Sequence, residues 1–466
     1  MLATLTLALV CRAADEPRVL TRVGDIRALS REEAAKALPV RLHGVVIWQN
    51  VDLLPSFILH DGEQSIYVDR SLAGKKGVWR GGRIPPEECA PGAVLEFEGV
   101  TDSGGFAPMV IPVHYHRVGT APLPEPKHVP LTRLLSGSED GQRIEVEGVV
   151  QDVAPPDRYG DSKVLLLLEG HPCLVNSENG RELDPSKLVD AWVRVRGCPG
   201  PVFNLRAEAT SIRLRTQGAA DFTVVTPALS DPFQAPRVPL SRLMLFSLTP
   251  DHFHRRVTEG TVNLTVPGRF FVIQDGTTGV RVESSAASVK VGDRVEVSGF
   301  IDTSHVLASL RGSVVRIVGH GPPVAAQRVT LEQIAEPKGA DPHGQWASGD
   351  YSGRVVQIRG RVENFRQKDG PNPPALLMRS DAQSFRAYLP FSTAASAAAW
   401  KEGSEVELTG VCELDFEAVV FQVMPKITGF SLWLRSPQDV RILLVPSWWT
   451  PLRLGTALLG TLLALG

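Results

Sequence analysis

The sequence predicts an all-β protein built as a tandem array of four small five-stranded barrels. Three recurring features carry that prediction. The first is a short alternating strand that closes on a glycine. It appears as Gly92-Ala-Val-Leu-Glu-Phe-Glu-Gly99, Asp190-Ala-Trp-Val-Arg-Val-Arg-Gly197, Val291-Gly-Asp-Arg-Val-Glu-Val-Ser-Gly299 and Gly403-Ser-Glu-Val-Glu-Leu-Thr-Gly410. The closing glycines lie roughly one hundred residues apart, the size of a small domain. The second is an earlier strand centred on a glycine: Gly44, Gly148, Gly260 and Gly360 each sit inside a period-two run. Glycine weakens a strand interior, so its return at one place predicts a bulge or a barrel corner. The third is a hairpin. Ser56–Val68 aligns without gaps on Phe270–Val282, with Asp61-Gly62 and Asp275-Gly276 at the turns.

Each repeat opens on a lead-in of matched polar and apolar positions: Asp25–Leu29, Val129–Leu134, Val238–Leu243 and Val329–Ile334. In the first repeat a short helix follows over Ser30–Leu38. Ser30 is its N-cap, Glu33 stands three residues on, and Pro39 ends it. Val164–Glu169 and Pro374–Arg379 take the first-hairpin-strand role in repeats two and four without an Asp-Gly turn. The predicted segments are a signal-like 1–14, repeats at 15–124, 125–236, 237–325 and 326–445, and the start of a membrane helix at 446–466. Proline-rich linkers (Ala121–Pro126, Pro227–Pro239, Gly319–Pro323) predict a semi-rigid string of barrels. The long segments Val78–Pro91 and Pro337–Ser352 are the loops on which binding surfaces are expected.

The composition fits a globular protein: 43% hydrophobic, 21% charged, with 42 glycines and 36 prolines for turns. A formal net charge of −2 and basic residues scattered along the chain argue against nucleic acid as a partner. The five cysteines show no CxxC pairing, and only Cys173 and Cys198 share a repeat. Two isolated buried thiols are expected there, with a disulfide the alternative in an oxidising compartment.

Met1–Ala14 pairs an apolar run with small residues before Asp15-Glu16, as a secretory signal does, although no Lys or Arg precedes the run. At the other end Trp448 and Trp449 stand beside an uncharged apolar run after Arg453. Paired tryptophans there read as membrane-interface residues, and the run is a membrane span cut short.

No pattern for catalysis appears: no Gly-x-Ser-x-Gly, Walker A, Rossmann glycine set or His-Glu-x-x-His. No catalytic residue, metal site or cofactor is assigned. His114-Tyr-His116 and His252-Phe-His254 have a spacing that suits part of a zinc site but lack a third ligand. Asp61 and Asp275 are explained by turn chemistry. Of the aromatics in repeat one (Trp48, Phe57, Tyr67, Trp79), Phe57 alternates as a core residue. Trp48 and Tyr67 are the candidates for stacking on a sugar ring or base.

Five strands per repeat with glycine in strands one and four resemble the oligonucleotide/oligosaccharide-binding (OB) fold. The residues Gly44-Val-Val-Ile-Trp48, Phe57–Gly62, Ile66–Asp69 and Ser447-Trp-Trp-Thr-Pro451 are also similar to the exported sensory region of bacterial membrane-bound histidine kinases and related signalling proteins. That resemblance implies an inner-membrane protein with the bulk of the chain in the periplasm. It would sense a small-molecule, glycan or protein ligand and be anchored in lipid by its C-terminus. Any kinase activity would lie in a missing C-terminal part. The alternatives are an exported structural or adhesive array and a binder of single-stranded nucleic acid or oligosaccharide.

Overall fold

The structure, a computed structural model, describes residues 19–52, 55–75, 86–206, 208–243, 253–284, 288–302, 309–335, 351–367, 372–380, 383–392, 400–417 and 426–446. The chain divides into two compact units, Met1–Ala228 and Leu229–Gly466.

In the first unit, β1 (Pro39–Asn50), β2 (Ser56–His60), β3 (Ser65–Asp69), β4 (Ala93–Asp102) and β5 (Met109–Thr120) form repeat 1. They close into a barrel in the order β1-β2-β3-β5-β4, with β3 and β5 parallel. Repeat 2 is a seven-stranded sheet of β6 (Lys127–His128), β7 (Ile144–Val153), β8 (Ser162–Leu168), β9 (His171–Ser177), β10 (Trp192–Phe203), β11 (Ala209–Thr216) and β12 (Phe222–Thr226). Its β10 also pairs with β7, so five of the strands return on themselves in the same order as repeat 1.

The second unit follows the same plan. Repeat 3 is a closed barrel of β13 (Arg256–Val266), β14 (Phe270–Asp275), β15 (Thr278–Glu283), β16 (Asp293–Asp302) and β17 (Ser309–His320). Repeat 4 comprises β18 (Gln327–Arg328), β19 (Val355–Arg366), β20 (Ala375–Ser380), β21 (Gln383–Tyr388), β22 (Glu405–Glu417), β23 (Lys426–Trp433) and β24 (Val440–Leu444), with β19 pairing β22.

The recurring glycines mark where the first strand curls. A Cβ on Gly44 or Gly148 would run into the carbonyl oxygen of His60 or Leu167 on the next strand. A bulge follows in every repeat, between Val46 and Trp48, Val150 and Asp152, Val262 and Leu264, and Val362 and Asn364. A bulge adds twist, and the twist lets a short strand pair with both neighbours of a small barrel. The closing glycines are equally crowded, with Gly99 meeting Ile111 O at 2.7 Å and Gly410 meeting Trp433 O at 2.7 Å.

Each lead-in is a short helical turn that plugs one end of its core. Ile26, Leu134, Leu240 with Leu243, and Leu331 with Ile334 are buried among the strands of repeats 1 to 4. Ser30 and Glu33 form the predicted capping box, and the helix is the single turn Arg31–Ala34. Asp61 accepts the backbone N–H groups of Glu63, Gln64 and Val23, so it ties the hairpin turn to the lead-in. Burial opposes ionisation of this carboxyl, but those N–H donors outweigh it and hold it below the usual range. Repeat 2 turns instead through Glu169-Gly170, both with positive φ, which the absence of an Asp-Gly pair concealed.

Among the described residues no helix is long and apolar enough to cross a membrane. The predicted leader at 1–14 and the membrane-interface pair Trp448 and Trp449 lie outside the described residues. So do Trp79, His252 and most of the two long loops.

Candidate functional site

Within each unit the two repeats pack directly on each other, through the outer face of the first three strands of repeat 1 or 3. In the first unit that face carries Trp48, Ile58 and Tyr67. Trp48 is 4% exposed and packs with Ile47, Ile58 and Cys198, with Tyr67 and the linker residue Leu123 at the margin. The guanidinium of Arg215, from repeat 2, lies 5.3 Å from the ring centroids of both Trp48 and Tyr67. The Gln142 side chain bonds both the N–H and the C=O of Ser65, and Asn50 donates to Glu178. The two rings proposed for ligand stacking are therefore occupied inside the unit by repeat 2.

In the second unit the equivalent face carries Leu264, Val266, Phe270 and Val272. It packs on Val355, Ala375, Tyr388, Val411 and Trp433, with the linker residue Val324 at the margin. Arg281 lies 3.7 Å from the Phe270 centroid and pairs with Glu413 at 3.2 Å.

Cys173 sits in the core of repeat 2 and Cys198 in the interface with repeat 1, both unbridged. Burial pushes their thiols up, to about 11 and about 12. His114 and His116 lie on one exposed strand face with rings 5.9 Å apart, and His116 faces Glu96 at 3.3 Å. Among the described residues no group of three or more His, Cys, Asp or Glu side chains is placed to hold a metal.

The face of repeat 4 that corresponds to these covered surfaces is buried against repeat 3 at Ala375 and Tyr388 and is exposed and basic over the rest. Strand pairing sets Arg361 beside Arg379 and Ser384, then Asn364 beside Leu377 and Arg386, then Arg366 beside Ala375. Arg361, Arg366, Arg379 and Arg386 are all exposed, and Leu377 is half-buried. Glu363 lies within the face, 3.4 Å from Arg379, and Glu405 borders it at 3.2 Å from Arg361. Next to it, the buried carboxylate of Glu407 is shared by three guanidiniums, Arg328, Arg359 and Arg441. Asp415 lies beside Arg386, so among the described residues the region sets seven arginines (Arg328, Arg359, Arg361, Arg366, Arg379, Arg386 and Arg441) against four carboxylates (Glu363, Glu405, Glu407 and Asp415). Repeat 2 has no arginine at the matching positions, where Val149, Ala154, Leu167 and Leu174 stand.

These arginines went unnoticed because they are spread over Arg359–Arg386 in sequence. The signal that finds them is period two: each of the three strands carries at least one arginine at an outward position.

No family model and no curated protein matches the chain. Solved structures similar to it include a replication protein A heterotrimer bound to ssDNA, at 11% identity over 72% of this chain and 99% of that chain, TM-score 0.23. Fission yeast Pot1 with ssDNA shares 10% identity over 45% and 90%, TM-score 0.21. A murine DNA binding protein bound with ds DNA shares 14% over 39% and 98%, TM-score 0.19. The exclusion of nucleic acid as a partner is corrected here. The net charge of −2 gives no ground for that exclusion, because it averages over a chain whose arginines gather locally on one face.

Proposed function

We propose that the chain is a non-enzymatic binding protein of four OB-like repeats that takes single-stranded nucleic acid on the arginine face of repeat 4. The observation that carries this is the placement of Arg361, Arg366, Arg379 and Arg386 on one exposed three-stranded face. The strand 2–3 face is the surface on which barrels of this type hold extended ligands. Guanidiniums pair well with phosphate oxygens, and a row of them follows a phosphodiester backbone without reading bases. Repeats 1 and 3 have given the same face to packing, so repeat 4 offers the basic one. The test is fluorescence anisotropy of a labelled oligothymidine with the full chain at low salt, with heparin and phosphatidylserine vesicles as competing arms. Oligothymidine binding that R379E and R386E weaken supports the reading. Retention on heparin or vesicles alone assigns the face to another polyanion and removes it.

A second proposal is the input region of a membrane-bound signalling protein, which rests on the Ser447–Pro451 junction. Recovery of the protein from a soluble cytoplasmic fraction would remove it.

A further inference from the structure

At the end of the arginine face the structure holds a cleft that nothing above uses. It is about 430 Å³ and opens over Gly360. Its walls are Arg359, Arg361 and Arg379, with Ser380, Leu443 and Glu405, the last paired with Arg361 at 3.2 Å. Four strands contribute, and β24 is the wall at which the face ends. Leu443 is 38% exposed although it lines the cleft.

The cleft follows from how the first strand is built. A Cβ on Gly44 or Gly148 would strike the neighbouring carbonyl, so in repeats 1 and 2 the strands are close at this point. At Gly260 and Gly360 the equivalent carbonyl, of Gln274 or Arg379, stands 3.2 Å from the Cβ position. A cleft opens in both, but the two differ in chemistry. In repeat 3 it is about 120 Å³, and its charged lining is Glu259, Asp275 and Arg294. In repeat 4 it is larger and its lining is three arginines to one glutamate.

We infer that the Gly360 cleft is a site for a terminal phosphate group, a phosphomonoester held between Arg361 and Arg379 with the Ser380 hydroxyl as a further donor. This deepens the proposed function and rests on it for the strand that leads into the site. An internal phosphodiester carries one negative charge, whereas a terminal phosphate carries nearly two and presents three oxygens. The three guanidiniums that line the cleft are each paired with a carboxylate, Arg359 with Glu407, Arg361 with Glu405 and Arg379 with Glu363, so the more highly charged group competes best for them. Two sources supply that chemistry: the phosphorylated end of a strand, or a free phosphate compound.

The experiment titrates the full chain with four probes: oligothymidine with a 5′-phosphate, with a 3′-phosphate, with hydroxyl at both ends, and inorganic tripolyphosphate. L443E places a carboxylate in the cleft wall without touching the arginines, and L443Q controls for the change of shape. The expected result is a preference of about tenfold for one phosphorylated end, or binding of tripolyphosphate, lost in L443E and kept in L443Q. Hydroxyl-ended oligothymidine should bind wild type and L443E alike to within about threefold. Equal affinity for phosphorylated and hydroxyl-ended strands, together with no tripolyphosphate binding, overturns the cleft assignment and leaves the face intact. Failure of every oligothymidine removes the proposed function, and the tripolyphosphate arm still decides the cleft.

Discussion

Arg215 and Trp433 occupy the same position in two repeats. Each lies directly across the sheet from the residue after a closing glycine, Cys198 for Arg215 and Val411 for Trp433. Their partners are exchanged to match. Tyr67 in repeat 1 and Arg281 in repeat 3 hold equivalent hairpin positions, opposite Ile58 and Val272. The first unit thus sets an arginine of its second repeat on the rings of its first. The second unit sets an arginine of repeat 3 beside Phe270, with Trp433 of repeat 4 at 5.2 Å from that ring.

The exchange predicts different costs of truncation. Arg215→Ala should destabilise the first unit by about 1–2 kcal/mol, through the lost cation–π contacts and the packing of the arginine stem. Trp433→Ala leaves a cavity among Phe270, Tyr388 and Val411 and should cost the second unit about 3–5 kcal/mol. Urea denaturation of each variant measures both. Equal losses, or a larger one for Arg215, would contradict the assignment.

Glu178 makes the first interface sensitive to pH. Burial, then the charge of Asp161, pushes its carboxyl up to about 8, against the Asn50 hydrogen bond and the charges of Arg215 and Arg213. Burial, then Asp157 and Asp52, likewise pushes Asp161 up to about 6. A carboxyl whose folded value is raised favours the folded state fully below its unfolded value, and that contribution is lost as pH rises through the folded value. The Glu178 contribution should therefore fall between about pH 4.5 and pH 8, by several kcal/mol, about 1.4 kcal/mol for each pH unit crossed. Glu178→Gln should flatten that fall relative to wild type in urea titrations at pH 5 and pH 8. A variant with the same pH dependence as wild type would refute this.

The strand glycines should rank by the space behind them. Gly44→Ala drives a methyl into a backbone carbonyl that cannot yield, for about 2–3 kcal/mol, and Gly360→Ala, with 3.2 Å of room, should cost about 1 kcal/mol. Thermal denaturation gives the order, and a reversed order would contradict the reading of these glycines as sites of close strand approach.

Much of the fold was legible because its signals are local. A glycine inside an alternating strand, an Asp-Gly hairpin and an apolar lead-in each depend on a few neighbouring residues, and they fall at β1, β2–β3 and the end plug as expected. The packing of repeats into pairs was not legible. Trp48 and Tyr67 read as surface aromatics because period two places them outside their own barrel; only the docking of repeat 2 shows that this outside is covered. The arginine face was missed for the converse reason. Arg361, Arg379 and Arg386 are separated in sequence, and strand register alone makes them neighbours.

The measurement that bears most directly on the proposed function is the salt dependence of oligothymidine binding by the full chain and by the R361E/R379E/R386E variant. Four guanidiniums on phosphates predict a log–log slope of about −3 for wild type and a loss of at least about a hundredfold in affinity at low salt for the variant. Binding that ignores salt, or that the triple variant retains, would contradict the arginine face as the site.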